Sequence, residues 1–146
     1  MAKFKYRMQN ILDVKLKLES QAKIAYSTAN QKYLDEQKKL QELMLRRIGY
    51  EKELKNLMSG AIDVKKISNA RADVNSIKTL IRRQSVVVHK AQMELENARN
   101  HLNELMKDRK THEILREKAF EEFKNEIKAE ESKEIDELVS YTYNAK

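Results

Sequence analysis

The sequence predicts an all-α fold in which two long helices form an antiparallel coiled-coil hairpin with a protruding C-terminal helix. An apolar stripe steps by threes and fours from Ile67 to Phe123, and a second stripe of compatible period runs from Phe4 to Leu57. A repeat kept over many turns holds one face of a helix against a partner helix. Proline is absent and glycine occurs twice, so the chain offers few turns besides one near Gly60.

We predict a single coiled-coil domain over residues 1–146, with helix 1 over about 3–58, a turn over about 59–63 and helix 2 over about 64–142. The stripe of helix 1 has one extra four-residue step at Tyr33. Its members are Phe4, Met8, Ile11, Lys15, Leu18, Ala22, Ala25, Ala29, Tyr33, Glu36, Leu40, Leu43, Arg47, Tyr50, Leu54 and Leu57.

The turn between the helices carries signals for both helix ends. Gly60 can take the left-handed conformation that ends a helix, and Asp63 can accept hydrogen bonds from the free amides that begin the next one. Gly49 lies inside the first stripe without a capping signal, so we interpret it as a tolerated interior residue.

Helix 2 carries the more regular stripe. Thirteen of its seventeen positions are apolar, and the polar ones are Gln84, Arg109, His112 and Arg116. The members are Ile67, Ala70, Val74, Ile77, Ile81, Gln84, Val88, Ala91, Leu95, Ala98, Leu102, Leu105, Arg109, His112, Arg116, Ala119 and Phe123. Such a stripe predicts a helix that packs lengthwise against another.

A chain that folds back at Gly60 pairs residues whose numbers add to about 120 or 121. This register places Ala29 beside Ala91, Leu18 beside Leu102, and Glu36 beside Gln84, where a matched polar layer would fix the register. It also places Phe4 opposite Arg116, so no residue of helix 1 covers the apolar stripe from about Phe120 onward. That stripe is either a docking surface or part of a frayed tail, and the two interpretations have equal weight.

Composition excludes several classes of function. The net charge is +7, but basic residues alternate with acidic ones, and residues 101–146 hold 9 Lys/Arg against 12 Asp/Glu. A solvated coiled-coil face therefore explains the charge better than a nucleic-acid site. Cysteine is absent, no apolar run is long enough to span a bilayer, and the first residues lack the apolar core of a signal peptide. We expect a cytosolic protein.

No catalytic, cofactor-binding or metal-binding constellation is evident, so we expect neither an enzyme nor a small-molecule substrate. His89, His101 and His112 are too far apart for the i, i+4 pair of a helical zinc site. His112 on the stripe is most simply a buried or half-buried polar residue. Acidic pairs such as Glu121 and Glu122 lie on a thin rod, where nothing would raise a carboxyl pKa for acid and base catalysis.

Three stretches carry a resemblance to a known family. Phe4-Lys5-Tyr6-Arg7-Met8-Gln9 followed by Ile11-Leu12-Asp13 is similar to the N-terminal signature of the flagellar export protein FliJ. The segment from Arg116 to Phe123, with Lys133 to Glu137 downstream, resembles the second signature of that family. Ser59-Gly60 lies where the family's hairpin turns, and the resemblance covers essentially the whole chain.

The resemblance implies a stalk of the flagellar type III export apparatus. Its partners would be the hexameric export ATPase of the FliI type, the cytoplasmic domain of the FlhA-type export gate, and export chaperones. The protein would lie in the cytoplasm, at the cytoplasmic face of the inner membrane through the apparatus. The ATPase-binding end would hold Phe4, Lys5, Arg7, Arg116, Glu117, Lys118, Phe120 and Phe123. The gate-binding tip side would hold Leu43, Tyr50 and Ile77, although all three also lie on the predicted stripes.

Two alternatives remain open at this point. The equivalent stalk of a virulence type III secretion system would have the same architecture, and the physics of the sequence does not separate the two. A generic coiled-coil scaffold would instead form a parallel homodimer, with each stripe facing its copy in a second chain.

Overall fold

The computed structural model describes residues 2–144, and two α-helices make up most of them. Helix α1 spans Gln9–Met58 and helix α2 spans Val64–Asn144. No strand occurs in this part of the chain. The predicted all-α class with two long helices is therefore confirmed, and the predicted helix 2 begins at the expected residue.

The predicted start of helix 1 at about residue 3 is wrong, because α1 begins at Gln9. Residues 2–6 have no regular structure, and a turn leads into the helix through a hydrogen bond from the Gln9 amide to the Tyr6 carbonyl at 3.1 Å. Within this segment the ring of Phe4 packs against Phe120 and Phe123 of α2. Contact with α2, rather than continuation of α1, therefore holds the first residues.

Residues 59–63 form the turn segment between the helices. The carboxylate of Asp63 accepts hydrogen bonds from the backbone amides of Lys65 at 3.1 Å and Lys66 at 3.4 Å, which confirms the predicted N-terminal cap of α2. At the end of α1, the hydroxyl of Ser59 donates to the Asn56 carbonyl at 3.0 Å, and the Ser59 amide donates to the same oxygen at 3.3 Å.

The expectation that Gly60 adopts a left-handed conformation is wrong, since its φ is not positive. The Ser59 bonds satisfy a terminal carbonyl of α1 without that conformation. A glycine is therefore not required here by backbone geometry, and a Cβ at Gly60 would meet no atom within 4 Å.

The chain divides into two compact units. We call the described part of Met1–Gln21 and Asn103–Lys146 the terminal unit, and Ala22–Leu102 the turn unit. The single domain that the sequence predicts over residues 1–146 stays a prediction, and its positions 1, 145 and 146 lie outside the described residues.

The core of the turn unit consists of small and branched apolar side chains. Every buried apolar residue of this unit lies on one of the two predicted stripes, which confirms the stripes here: Ala22, Ala70, Val74, Ile77, Ile81, Ala91 and Leu95. Burial of such side chains is the main favourable contribution to a coiled-coil contact.

Polar pairs in the turn unit join α1 to α2 in a regular order. Glu36 accepts hydrogen bonds from Gln84, Lys32 forms an ion pair with Glu94 at 3.1 Å, and the guanidinium of Arg99 lies 5.9 Å from the ring centre of Tyr26. Residue numbers on α1 fall from 36 to 26 as those on α2 rise from 84 to 99. The predicted layer of Glu36 and Gln84 is confirmed, with Nε2 at 2.6 Å from the carboxylate and 2.9 Å from the Glu36 carbonyl.

The terminal unit departs from the predicted stripe of helix 1. Leu12 and Glu19 are buried at 4% exposure, whereas the predicted stripe members Ile11 and Leu18 are 41% and 39% exposed. At these two positions the buried face therefore lies one residue beyond the predicted stripe, whereas the stripe member Lys15 is half-buried. The reason is that Glu19 is buried through an ion pair with Arg109, which a pattern of apolar residues does not reveal.

Candidate interaction surfaces

An aromatic cluster in the terminal unit joins the segment before α1 to helix α2. The ring of Phe4 meets that of Phe120 edge to face, with centroids 5.0 Å apart and planes inclined by 60°. The Phe4 and Phe123 centroids are 5.4 Å apart at 48°. Phe4 and Phe123 are half-buried, while Phe120 keeps 38% of its surface exposed. Edge-to-face and tilted contacts of this kind are favourable for aromatic rings.

Two cations border this cluster. The guanidinium carbon of Arg116 lies 5.7 Å from the ring centre of Phe4, and its Nε donates to the side-chain oxygen of Gln9 at 2.9 Å. On the other side, Nζ of Lys124 lies 4.5 Å from the ring centre of Phe120. These distances suit cation–π attraction. The expectation that the stripe is uncovered from Phe120 onward is therefore wrong, because Phe4 covers part of Phe120 and Phe123.

The residues predicted for the ATPase-binding end fall into two groups. Phe4, Arg116, Phe120 and Phe123 are brought together in the aromatic cluster. The other four are exposed charged residues, namely Lys5, Arg7, Glu117 and Lys118. Binding of an ATPase by either group stays a prediction.

The C-terminal part of α2 is exposed along its length within residues 2–144. Every residue from 128 to 144 is exposed, which places the beginning of the uncovered stripe after Ile127. The large apolar residues in this stretch are between 60% and 81% exposed, and they are Ile135, Leu138, Val139, Tyr141 and Tyr143. Exposed apolar side chains in such number over a few helical turns favour a docking surface.

Helices α1 and α2 also meet in the terminal unit through charged side chains. Nζ of Lys15 lies 2.6 Å from the carboxylate of Asp108. This hydrogen bond is the main reason why the pKa of Asp108 is lowered from its usual value. His112 is half-buried, as expected, and its Nε2 lies 3.6 Å from the same carboxylate. Its Nδ1 is buried without a hydrogen-bond partner within residues 2–144.

The ion pair of Glu19 and Arg109 was missed in the sequence, although Arg109 was recognised as a polar stripe member. The guanidinium donates from Nε to Oε2 at 2.5 Å and from Nη2 to Oε1 at 3.2 Å, and a further nitrogen donates to Glu113 at 2.9 Å. The hydrogen bonds to Glu19, more than those to Glu113, raise the pKa of Arg109. By its spacing, Glu19 lies on the same helix face as the apolar residues Leu12 and Ala22. A charged residue at such a position would have been the signal for this pair.

The three residues predicted for the gate-binding tip side all belong to the turn unit. Leu43 and Tyr50 are half-buried, and the Tyr50 hydroxyl accepts a hydrogen bond from Arg46 at 3.3 Å. Ile77 is only 1% exposed, so it packs in the core and would support a partner surface only from beneath. Their role in gate binding stays a prediction.

Three further observations on the two helices concern metal binding, surface grooves and membrane crossing. Within residues 2–144, no group of three or more His, Cys, Asp or Glu side chains is arranged to hold a metal ion. A shallow open groove on α1 is lined by polar residues between Ser27 and Glu42. In the same part of the chain, neither helix has an apolar stretch long enough to cross a membrane.

A comparison with models of protein families shows which family the chain belongs to. The family model described as Flagellar FliJ protein matches residues 4–146. The chain belongs to the FliJ family. The match begins at Phe4 of the aromatic cluster and includes both helices, and FliJ membership supports a flagellar, export-related role for the chain as a structural component. No curated protein and no solved structure matches the chain.

Proposed function

We propose that this member of the FliJ family is a non-enzymatic stalk of the flagellar type III protein export apparatus. Its terminal unit enters the ring of the hexameric FliI-type ATPase, its turn unit contacts the cytoplasmic domain of the FlhA-type gate, and the protein escorts export chaperones. These contacts hold it in the cytoplasm at the cytoplasmic face of the inner membrane. The observation that carries the proposal is the packing of Phe4 on Phe120 and Phe123, beside an α2 segment that is exposed throughout.

The stalk is an antiparallel coiled-coil hairpin with a protruding C-terminal helix. Support within the turn unit comes from the polar pairs, whose residue numbers change in opposite directions on the two helices. Support within the terminal unit comes from the pairs of Gln9 with Arg116 and Lys15 with Asp108, which follow the same order. The exposure of residues 128–144 supports a protruding end of α2.

The mechanism is coupling rather than chemistry. A stiff rod in a sixfold ring contacts different subunits differently, so it can favour nucleotide binding or hydrolysis in one of them. The exposed charges of Lys5, Arg7, Glu117 and Lys118 orient the encounter and increase its rate. The apolar residues beyond Ile127 then supply contact area that is free of other partners within the described chain.

On the side of the gate, Leu43 and Tyr50 are the residues that a partner can touch, because both keep part of their surface. Ile77 is buried in the core of the turn unit, where a partner cannot touch it directly. A substitution of Ile77 would therefore act on gate binding through the fold, whereas one of Leu43 or Tyr50 would act at the surface.

The first experiment measures stimulation of the cognate FliI-type ATPase by the full chain. Lys5→Glu with Arg7→Glu reverses two exposed charges of the proposed contact without removing a described side-chain interaction. We expect the half-maximal stimulating concentration to rise about tenfold, since charge reversal at a rim slows association. Arg82→Glu with Arg83→Glu is the matched control, because it makes the same charge change on exposed residues of the turn unit. Equal effects of the two pairs would contradict the assigned end.

A second pair of variants tests the aromatic cluster itself. Phe120→Ala with Phe123→Ala removes both rings that Phe4 contacts. We expect ATPase stimulation to fall while the helical circular dichroism signal is retained, because α1 and the turn unit do not depend on these rings. Unchanged stimulation would count against insertion of the terminal unit into the ATPase ring.

A further inference from the structure

Exposed apolar side chains lie within the turn segment and directly beside it. Ile62 and Val64 are 72% and 75% exposed, which makes them the most exposed large apolar residues of the turn unit. Met58, at the end of α1, is 52% exposed. A single exposed apolar residue is ordinary, but three within seven positions around a turn concentrate exposed apolar side chains there.

Three exposed lysines lie close to these apolar residues in the sequence. Lys55 lies in the last turn of α1, and Lys65 and Lys66 lie in the first turn of α2, where all three are exposed. The nearby carboxylate of Asp63 is engaged by the backbone amides of Lys65 and Lys66, so it faces the start of α2. We call Met58, Ile62 and Val64 with these three lysines the turn patch.

The charge of the whole chain is concentrated in the same unit. Residues 22–102 hold 16 Lys/Arg and 9 Asp/Glu, whereas the remaining residues hold 14 of each. The net charge of +7 therefore belongs to the turn unit. A negatively charged partner would approach this unit in preference to the terminal unit.

We propose that the turn patch inserts into the surface of an anionic lipid bilayer. A bilayer supplies both features that the patch needs, namely negative headgroups for the lysines and an apolar layer for the aliphatic side chains. Lysine side chains next to inserted residues extend toward the headgroups, which allows both contacts at once. This inference goes beyond the proposed function, in which protein partners alone hold the chain at the membrane.

The test is flotation of the full chain with vesicles of phosphatidylcholine, alone or mixed with phosphatidylglycerol. We expect binding to the mixed vesicles only. Ile62→Ser with Val64→Ser should weaken that binding about tenfold or more, because two apolar side chains are no longer transferred from water into the bilayer. Lys65→Gln with Lys66→Gln should weaken it by a similar factor, through loss of two charges near the headgroups.

Matched controls separate insertion from general adsorption. Ile135→Ser with Val139→Ser removes an apolar pair of similar exposure from the terminal unit, and Arg82→Gln with Arg83→Gln removes two charges from the same unit as the patch. We expect mixed-vesicle binding within about twofold of the native chain for both. Circular dichroism of every variant checks that the helices remain.

Two kinds of result would overturn the proposal. One is failure of the native chain to float with the mixed vesicles. Another is equal weakening by a patch variant and its control, which would mean adsorption that is not specific to the patch. No weakening by Ile62→Ser with Val64→Ser has the same weight, because it would mean adsorption by charge alone. If the native chain does not float and Ile62→Ser with Val64→Ser loses binding to the purified gate domain, the patch is assigned to a protein instead. Because the flotation assay contains no ATPase, its failure leaves the proposed stalk function standing.

Discussion

Arg109 of α2 forms two hydrogen bonds to the carboxylate of Glu19 on α1, which is buried at 4% exposure. A carboxylate taken out of water is stable only while its charge and its oxygens are paired. The terminal unit therefore contains a charged contact between its two helices where a coiled coil ordinarily has apolar ones.

The substitution Arg109→Met should destabilise the protein strongly, because the buried carboxylate of Glu19 would lose its ion pair with the guanidinium. Urea unfolding followed by circular dichroism measures the change in the free energy of unfolding. Arg47→Met is the control, since Arg47 pairs with Glu51 on an exposed face of α1 at 2.9 Å. Exposed helix pairs contribute at most about 0.5 kcal/mol. A loss for Arg109→Met no larger than that of the control would contradict this account.

Stability should fall in acid through Asp108 and Glu36. Hydrogen bonds from Lys15 to Asp108 and from Gln84 to Glu36 lower both pKa values below their usual 3.8 and 4.5. The folded state then binds protons less readily than the unfolded state, so the contribution is complete above these usual values and is lost as the pH falls through and below them.

The urea midpoint measured between pH 7 and pH 3 checks this acid dependence. Asp108→Asn should lower stability at neutral pH and flatten the decline around and below pH 3.8, the usual pKa of an aspartate, since the variant lacks one of the titrating groups. Asp136→Asn is a control on an exposed residue of the uncovered α2 segment. An equally steep decline in Asp108→Asn and in the native chain would contradict the role of Asp108.

Gly49→Ala should increase the free energy of unfolding by about 0.5 to 1 kcal/mol, because glycine in a helix interior has excess conformational freedom when unfolded. An added Cβ at Gly49 meets no atom within 4 Å, so no steric cost opposes the gain. Gly60→Ala should not destabilise, since the φ of Gly60 is not positive. A clear loss for Gly60→Ala would mean that the turn uses a left-handed residue after all.

Ile77→Ala should destabilise the turn unit by about 3 kcal/mol, the usual cost of emptying a well-packed core position. Ile77 is 1% exposed, whereas Leu43 keeps part of its surface. Leu43→Ala should therefore cost less, and urea unfolding of both variants measures the difference. If Ile77→Ala left stability unchanged and affected gate binding alone, its assignment to the core would be wrong.

A disulfide between Ala29→Cys and Ala91→Cys should form within one chain. The residue numbers of the Glu36 and Gln84 pair add to 120, which is the sum that also joins positions 29 and 91, and Ala91 is only 2% exposed. Non-reducing electrophoresis separates the two cases, because an internal bond keeps the monomer mass. Bonds formed only between chains would favour the parallel homodimer of a generic scaffold.

Much of the turn unit was predictable because its core follows the simplest rule of helix packing. Ala70, Val74 and Ile77 are apolar residues at helical spacing, and they are buried. The polar layer of Glu36 and Gln84 was predictable for a related reason. Each is a polar residue in an apolar stripe, and two such residues form hydrogen bonds with each other when they lie on facing sides of the two helices.

The terminal unit was less predictable because charges replace apolar residues in its contact. Hydropathy favours Ile11 and Leu18 for burial, while the pairing of Glu19 with Arg109 turns Leu12 inward instead. The packing of Phe4 on Phe120 depends on a segment outside regular structure, for which helix periodicity makes no prediction. Charge pairs and non-helical ends are therefore where sequence patterns carried the least information.

The full exposure of residues 128–144 has a consequence for how this segment responds to a receptor. Helical hydrogen bonds without tertiary packing open easily, so amide protons here should exchange with solvent faster than those around Ile77. A receptor that binds Leu138 and Val139 must slow that exchange. Ordering of the segment costs free energy, which lowers the affinity of the complex. The end of α2 can thus combine high selectivity with rapid release.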